Sequence, residues 1–260
     1  MSNIRKAFEN GKAFIPFITC GDPDLESTKR NVRAAVAAGA DLIELGIPFS
    51  DPTAEGPVIQ AANLRALSSG VTTDSVFQMV RELRAELTTP LVFMTYANVV
   101  FSYGIDKFAS KAEEVGIDGI IIPDVPFEES AEFAPSFESR GIDYISMIAP
   151  TSKARIREIA AQAKGFLYVV SSLGVTGERQ EIETDLQFML AEVRAANPEL
   201  PAAIGFGIST PEQAKSMGAI ADGVIVGSAI MRIIGEKGQQ ADKALGQYVR
   251  EMKSAANTFL

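Results

Sequence analysis

Short, nearly unbroken apolar runs alternate with longer segments of helical spacing along the whole chain, and nothing else in the sequence restricts its fold as strongly. The apolar runs are Phe14–Thr19, Leu42–Gly46, Leu91–Tyr96, Gly119–Pro123, Asp143–Ile148, Phe166–Val170, Ala202–Gly205 and Asp222–Val226. Most lack apolar–polar alternation, the pattern of strands buried on both faces in a parallel sheet covered by helices. Between them, Asp24–Ala38 spaces Leu25, Val32 and Val36 as a helix does and stops at Gly39. Thr73–Leu87 sets Val76, Phe77, Val80, Leu83 and Leu87 on one stripe. Ile59–Leu67, Asp106–Val115, Ser152–Ala163, Glu183–Ala196 and Pro211–Met217 are further helical segments. No Gly/Ser-rich linker or charge block divides the chain, so residues 1–260 are expected to form a single domain. Eight strands alternating with helices in about 250 residues predict an α/β fold, a (β/α)8 TIM barrel. Alternation alone leaves a doubly wound open sheet as the alternative.

Composition narrows the chemistry. Apolar residues make up 47% and charged residues 22%, as in a globular protein with a sizeable core. The apolar runs are too short to span a bilayer, and the N-terminal MSNIRKAFENGKAF lacks the apolar stretch of a secretory signal. The lone Cys20 cannot form an internal disulfide and suits a reducing cytoplasm. With 33 acidic and 24 basic residues the net charge is −9, and no cationic cluster suggests nucleic-acid binding. Histidine is absent, which excludes His triads, His metal sites and imidazole proton transfer. No metal is expected, and carboxylates become the leading proton carriers.

In a barrel of this kind the active site lies in the loops at the C-terminal strand ends. The second such junction reads DLIELGIPFSDPTAEGPVIQ (41–60) and places Glu44 between Ile43 and Leu45 inside an apolar strand. A carboxylate there carries a desolvation penalty unless it is partnered or functional, and its pKa is expected to rise. The plainer alternative is a structural carboxylate bonding neighbouring backbone. The loop GIPFSDPTAEGP (46–57) holds three prolines and two glycines, so it is shaped rather than merely flexible. Glu55, just before the helical pattern, can point over the barrel mouth, whereas Asp51 between Ser50 and Pro52 reads first as a turn residue. Three glycine-bearing loops, SSLGVTGER (171–179), GFGIST (205–210) and VGSAI (226–230), follow the last three strands. Loops after strands 7 and 8, with a short helix N-terminus, commonly hold a phosphate in such barrels. Gly177, Gly205, Gly207, Gly227 and Ser228 are the candidate donors.

The segment LIELGIPFSDPTAEGPVIQ (42–60) closely resembles the signature of the tryptophan synthase α subunit. FIPFITCGDP (14–23), MTYANVVFSYGIDKF (94–108), PDVPFEES (123–130), YVVSSLGVTG (168–177), GFGIS (205–209) and VGSAI (226–230) match that family in order and spacing. The resemblance implies a retro-aldol cleavage of indole-3-glycerol phosphate to indole and glyceraldehyde 3-phosphate, in tryptophan biosynthesis. It implies Glu44 as the proton shuttle and Glu55 as the group facing the indole nitrogen. It also implies an apolar substrate wall of Phe17, Met94, Ile121, Ile148 and Tyr168, Thr176 in a closing loop, and the five phosphate donors named above. The partner implied is a tryptophan synthase β subunit in an αββα heterotetramer, with Pro48, Asp51, Asn98 and Phe101 at or near the interface. Pyridoxal phosphate belongs to that partner, so no cofactor is expected in this chain. The sequence departs from the family in one place: the second acid is usually aspartate, and here Glu55 adds a methylene, while Thr53 stands where leucine is common.

Two readings compete with catalysis of this kind. A sugar-phosphate isomerase or epimerase usually needs a histidine that is missing here. A binding or allosteric subunit with little activity of its own would not require an intact Glu44 together with three phosphate loops.

Overall fold

In this computed structural model, residues 3–152, 154–171 and 179–258 are described. The strands are β1 (Ala13–Thr19), β2 (Ile43–Gly46), β3 (Leu91–Met94), β4 (Gly119–Ile121), β5 (Asp143–Tyr144), β6 (Met147–Ile148), β7 (Leu167–Val170), β8 (Ala202–Gly205) and β9 (Gly223–Val226). All pair in parallel, in the order β5-β4-β3-β2-β1-β9-β8-β7-β6. The two ends of that order, β5 and β6, are halves of the single strand expected over 143–148. Ile145 N–H donates to Ile120 O at 2.9 Å, and Tyr168 N–H donates to Ser146 O at 3.0 Å. The fifth strand therefore turns from one neighbour to the other at Ile145–Ser146 and closes the sheet into a barrel. The open-sheet alternative is ruled out by that closure.

The remaining strands fall within a residue or two of expectation. The helices start where the sequence can satisfy their free N–H groups. Asp24 caps Leu25–Ala37 by accepting from Ser27 N–H at 2.6 Å. Thr72 and Thr210 form capping boxes for Thr73–Arg84 and Pro211–Ile220. Arg179–Ala196 begins earlier than expected, and Ile156–Gln162 later. Among the described residues four α-helices have no counterpart in the sequence expectations: Ala97–Tyr103, Ala134–Glu138, Ser228–Lys237 and Ala241–Ala256. No helix among the described residues is long and apolar enough to cross a membrane.

The core has two shells. Outside the sheet, Phe77, Phe93, Phe108 and Phe137 form a chain of edge-on rings between strand β3 and its covering helices. Inside, the barrel floor is closed by the N-terminal 3-10 turn Ile4–Phe8. Ile4 is fully buried, and a Cβ on Gly119 would come within 2.8 Å of its Cδ1. Phe8 packs on Phe166 with ring centroids 5.7 Å apart. Arg84 and Asp118 pair beneath this floor, and Asp118 also accepts Leu91 N–H at 2.9 Å. With the floor plugged, the open end at the strand C-termini is the place for chemistry.

Ile4→Ala is expected to destabilise the fold by ~2–5 kcal/mol, the range for emptying a closed apolar site. Urea unfolding of the two proteins measures this directly; a midpoint unchanged by the substitution would mean the turn does not plug the barrel.

Candidate active site

Glu44 lies in the middle of β2, in register with Phe17 of β1 and Val92 of β3. It is 1% exposed, and among the described residues neither carboxyl oxygen has a hydrogen-bond partner. Desolvation, followed by the nearby charge of Glu55, pushes its pKa up to about 8. A buried carboxyl without partners is costly to ionise, so Glu44 holds a proton at neutral pH. The capping alternative requires a bonded backbone group, and none is present among the described residues.

Glu55 faces the same space from the loop before helix Pro57–Ser68. Its carboxylate accepts Asn63 Nδ2–H at 2.6 Å, while Gln60 Nε2–H donates to its backbone carbonyl at 2.8 Å. Burial raises its pKa to about 7, against the opposing effect of the Asn63 bond. The two acids therefore sit in unlike environments: Glu44 is sealed and unbonded, and Glu55 is half-buried and bonded.

Both acids line one cavity of about 310 Å³, whose walls include Phe17, Ile59, Met94, Tyr168, Phe206, Ile208 and Ile225. Two glycines make room for its aromatic walls. A Cβ on Gly46 would come 2.5 Å from the Phe17 ring, and one on Gly205 would come 2.4 Å from Tyr168 Oη. The far end is polar: Gly207, Ser209, Gly227, Ser228 and Arg232. Gly227 caps helix Ser228–Lys237, so unpaired N–H groups of its first turn and the positive end of its dipole are available to an anion. Gly207 has φ 75°, and Phe206 before it is held at φ 72°, a strained value for a phenylalanine. Ser171 Oγ–H donates to Phe206 O at 2.6 Å, and the Phe206 ring stands edge-on to Tyr168. Phe206 and Glu55 also border a second, larger cavity of about 730 Å³ between the loops after β4 and β6.

Of the residues expected from sequence, Phe17, Glu44, Glu55, Met94, Tyr168, Gly207, Gly227 and Ser228 come together on the smaller cavity. Ile148 lines the larger one, and Ile121 is buried in β4 and lines neither. Gly205 does not reach the polar end, because its open face is taken up by Tyr168. Thr176 and Gly177 lie outside the described residues. Asp51 is exposed and accepts Ser50 Oγ–H at 2.5 Å, a bond between side chains rather than the side-chain-to-backbone bond of a turn residue. Asn98 and Phe101 are exposed on helix Ala97–Tyr103, Phe101 by 62%, whereas Pro48 is buried within the chain. Sequence reasoning missed Asn63, Phe206, Ser209 and Arg232. The glycines flanking Phe206 were the one signal that its loop is unusual. Among the described residues no group of three or more His, Cys, Asp or Glu side chains is placed to hold a metal.

A family model for the tryptophan synthase alpha chain matches residues 3–258. The tryptophan synthase alpha chain of Lacticaseibacillus casei is 49% identical over 99% of this chain and 96% of that protein. That of Lactiplantibacillus plantarum is 51% identical over 98% of this chain and 96% of its own length. The crystal structure of tryptophan synthase subunit alpha from Legionella pneumophila superposes with a TM-score of 0.89 at 38% identity, covering 98% of each chain.

Because the folded-state pKa of Glu44 lies above its unfolded value, the folded chain keeps a proton that the unfolded chain loses. Stability thus falls as pH rises from about 4.5 to about 8. Glu44→Met should remove that loss. Its stability gain over wild type is expected to grow across this window, by on the order of 4 kcal/mol at the alkaline end. Thermal melts at several pH values check this, and a gain independent of pH contradicts it.

Proposed function

The chain belongs to the tryptophan synthase alpha chain family of indole-3-glycerol phosphate lyases, and from that premise we propose that Glu44 and Glu55 perform the cleavage between them. One observation carries this reading: a buried and a half-buried carboxyl with unlike environments line one largely apolar cavity that a helix N-terminus also lines.

The reaction begins with Glu44 protonated. Its proton passes to indole C3, which turns the ring into a cation centred on N1. Ionised Glu55 accepts the N1–H and stabilises that cation. Glu44, now a carboxylate, takes the proton of the hydroxyl on the adjacent side-chain carbon. As that oxygen becomes a carbonyl, the C–C bond to indole C3 breaks and its electron pair restores the aromatic ring. Indole and glyceraldehyde 3-phosphate are released, and Glu44 ends protonated as it began. The proton count closes on this chain's own residues with no redox change, so the chain needs no cofactor of its own.

Phe17, Met94 and Tyr168 form the indole wall, with Phe206 packed edge-on to Tyr168; Ile148 contributes from the neighbouring cavity, and Ile121 supports β4 from within the core. The phosphate is held by backbone N–H groups of Gly207, Gly227 and Ser228, with Arg232 at the rim. By resemblance, Thr176 and Gly177 belong to the closing loop and the phosphate site. The residues 1–260 work as one unit in the cytoplasm, in an αββα heterotetramer whose β subunit holds the pyridoxal phosphate and receives the indole. The exposure of Asp51, Asn98 and Phe101 supports that face as the interface, with buried Pro48 shaping the loop behind it.

Indole release from indole-3-glycerol phosphate, with and without a β subunit, tests the reading. Glu44→Gln is expected to lower kcat by at least ~10³-fold with little change in KM, since it removes proton transfer. Wild-type turnover that survives this substitution would overturn the assignment, and so would a wild type inert even with the β subunit bound.

A further inference from the structure

Glu55 sits in a loop, yet its backbone carbonyl and its carboxylate each accept a side-chain hydrogen bond, whereas the Glu44 carboxyl accepts none among the described residues. Both constraints come from helix Pro57–Ser68. Gln60 fixes the Glu55 backbone carbonyl and Asn63 fixes its carboxylate. Asn63 is 3% exposed, flanked by the buried Ala62 and Ala66, so its carboxamide has little room to turn. The helix itself is pinned. Arg65 donates through Nε and Nη2 to both oxygens of Asp22, at 2.8 and 2.7 Å, and Asp22 is 1% exposed. Gly235 leaves space for that guanidinium, since a Cβ there would come within 3.1 Å of Arg65 Nη2. Asp22, Arg65, Asn63 and Glu55 thus form one chain of fixed contacts from the loop after β1 to the cavity.

Two carboxyls bordering one cavity cannot both be charged without repulsion, so the pair needs a device that decides where the charge goes. Donors are distributed unequally: Glu55 receives one N–H, and Glu44 receives none among the described residues. We infer that Asn63 is a positioning residue of the reaction, which by donating to Glu55 assigns the negative charge to Glu55 and leaves the proton on Glu44. The inference rests on the roles proposed above for the two acids and adds the group that separates them. It also gives a physical meaning to the longer acid in this chain: Asn63 and Glu55 are matched in reach, the extra methylene of Glu55 being taken up by the contact to the helix.

The other ionisable groups around Glu55 do not make this assignment. Glu44 of β2 repels its charge, and Tyr168 of β7 presents a hydroxyl with a raised pKa on the same cavity. Tyr96, after β3, spends its hydroxyl accepting Ala54 N–H at 3.2 Å and stands near Asp124. Arg232 lines the polar end from helix Ser228–Lys237, and Arg155 borders the larger cavity already paired with Glu128. Asn63 alone has a hydrogen bond to the Glu55 carboxylate among the described residues.

The experiment is the pH profile of kcat/KM for indole release by the full chain, alone and with a β subunit. Ionisation of Glu55 governs the acid limb and deprotonation of Glu44 the alkaline limb. Asn63→Leu removes the donor, so the acid limb is expected to move up by about one pH unit, narrowing the bell and lowering its maximum about tenfold. A length swap guards against a variant that simply folds poorly. Asn63→Gln and Glu55→Asp should each lose about tenfold, and the double variant, which restores the combined reach, should return to within about threefold of wild type with its acid limb restored. An Asn63→Leu profile lowered without any shift, or a double variant no better than the worse single, overturns the inference. Should Glu44→Gln remain active, it is the reaction assignment that fails; with Glu44→Gln inactive and the acid limb unmoved, only the role of Asn63 fails.

Discussion

The structure is organised around one carboxyl group that is buried and given nothing to bind. The other buried acids among the described residues are satisfied, and so is the half-buried Asp41. Asp22 holds Arg65, Asp118 holds Arg84 and the Leu91 N–H, and Asp41 holds Lys253 together with the Phe14 N–H. Glu44 alone among the described acids lies fully buried with both oxygens unpartnered. Leaving such a group in a core costs stability whenever it must ionise, and a fold tolerates that cost where the strained protonation is used. Its place two residues before the C-terminal end of β2 sets it on the wall of the cavity while leaving it 1% exposed.

The surroundings follow from keeping that proton in place. Gly46 and Gly205 leave room for the rings of Phe17 and Tyr168, which line the cavity beside Glu44. The N-terminal turn with Ile4 and Phe8 seals the other end of the barrel. At the mouth, helix Pro57–Ser68 holds the second acid, and helix Ser228–Lys237 directs its N-terminus at the polar end. The same cavity thus joins a helix N-terminus suited to an anion with the two carboxyls.

Much of this was legible in the sequence, for reasons specific to its residues. The runs of Val, Ile, Leu and Phe gave the strands because a parallel barrel buries both faces of each one. Only 143–148 appears differently, as two pieces, because closure makes that strand change partners, and no local pattern encodes a partner change. Glu44 stood out as an ion inside an apolar run, and Gly207, Gly227 and Ser228 as loop residues at the right strand ends. Gly205 misled, since a glycine beside an anion site and a glycine beneath a tyrosine look alike in sequence. Asn63 and Arg232 were illegible for another reason: their roles depend on how two helices are rotated against the barrel, which tertiary packing decides. The helix at Ser228 was hidden by the glycines around it, and Phe206 gains its importance from a backbone angle that side-chain identity does not announce.

The central claim is that the two acids divide one proton and one charge between them in the folded chain, with the proton on Glu44. Infrared difference spectroscopy of the carboxyl groups, at a pH between the values of about 7 for Glu55 and about 8 for Glu44, tests this directly. Wild type is expected to show a protonated carboxyl band that disappears in Glu44→Gln and persists in Glu55→Gln. A band that persists in Glu44→Gln, or is absent from wild type at that pH, would contradict the account at its root.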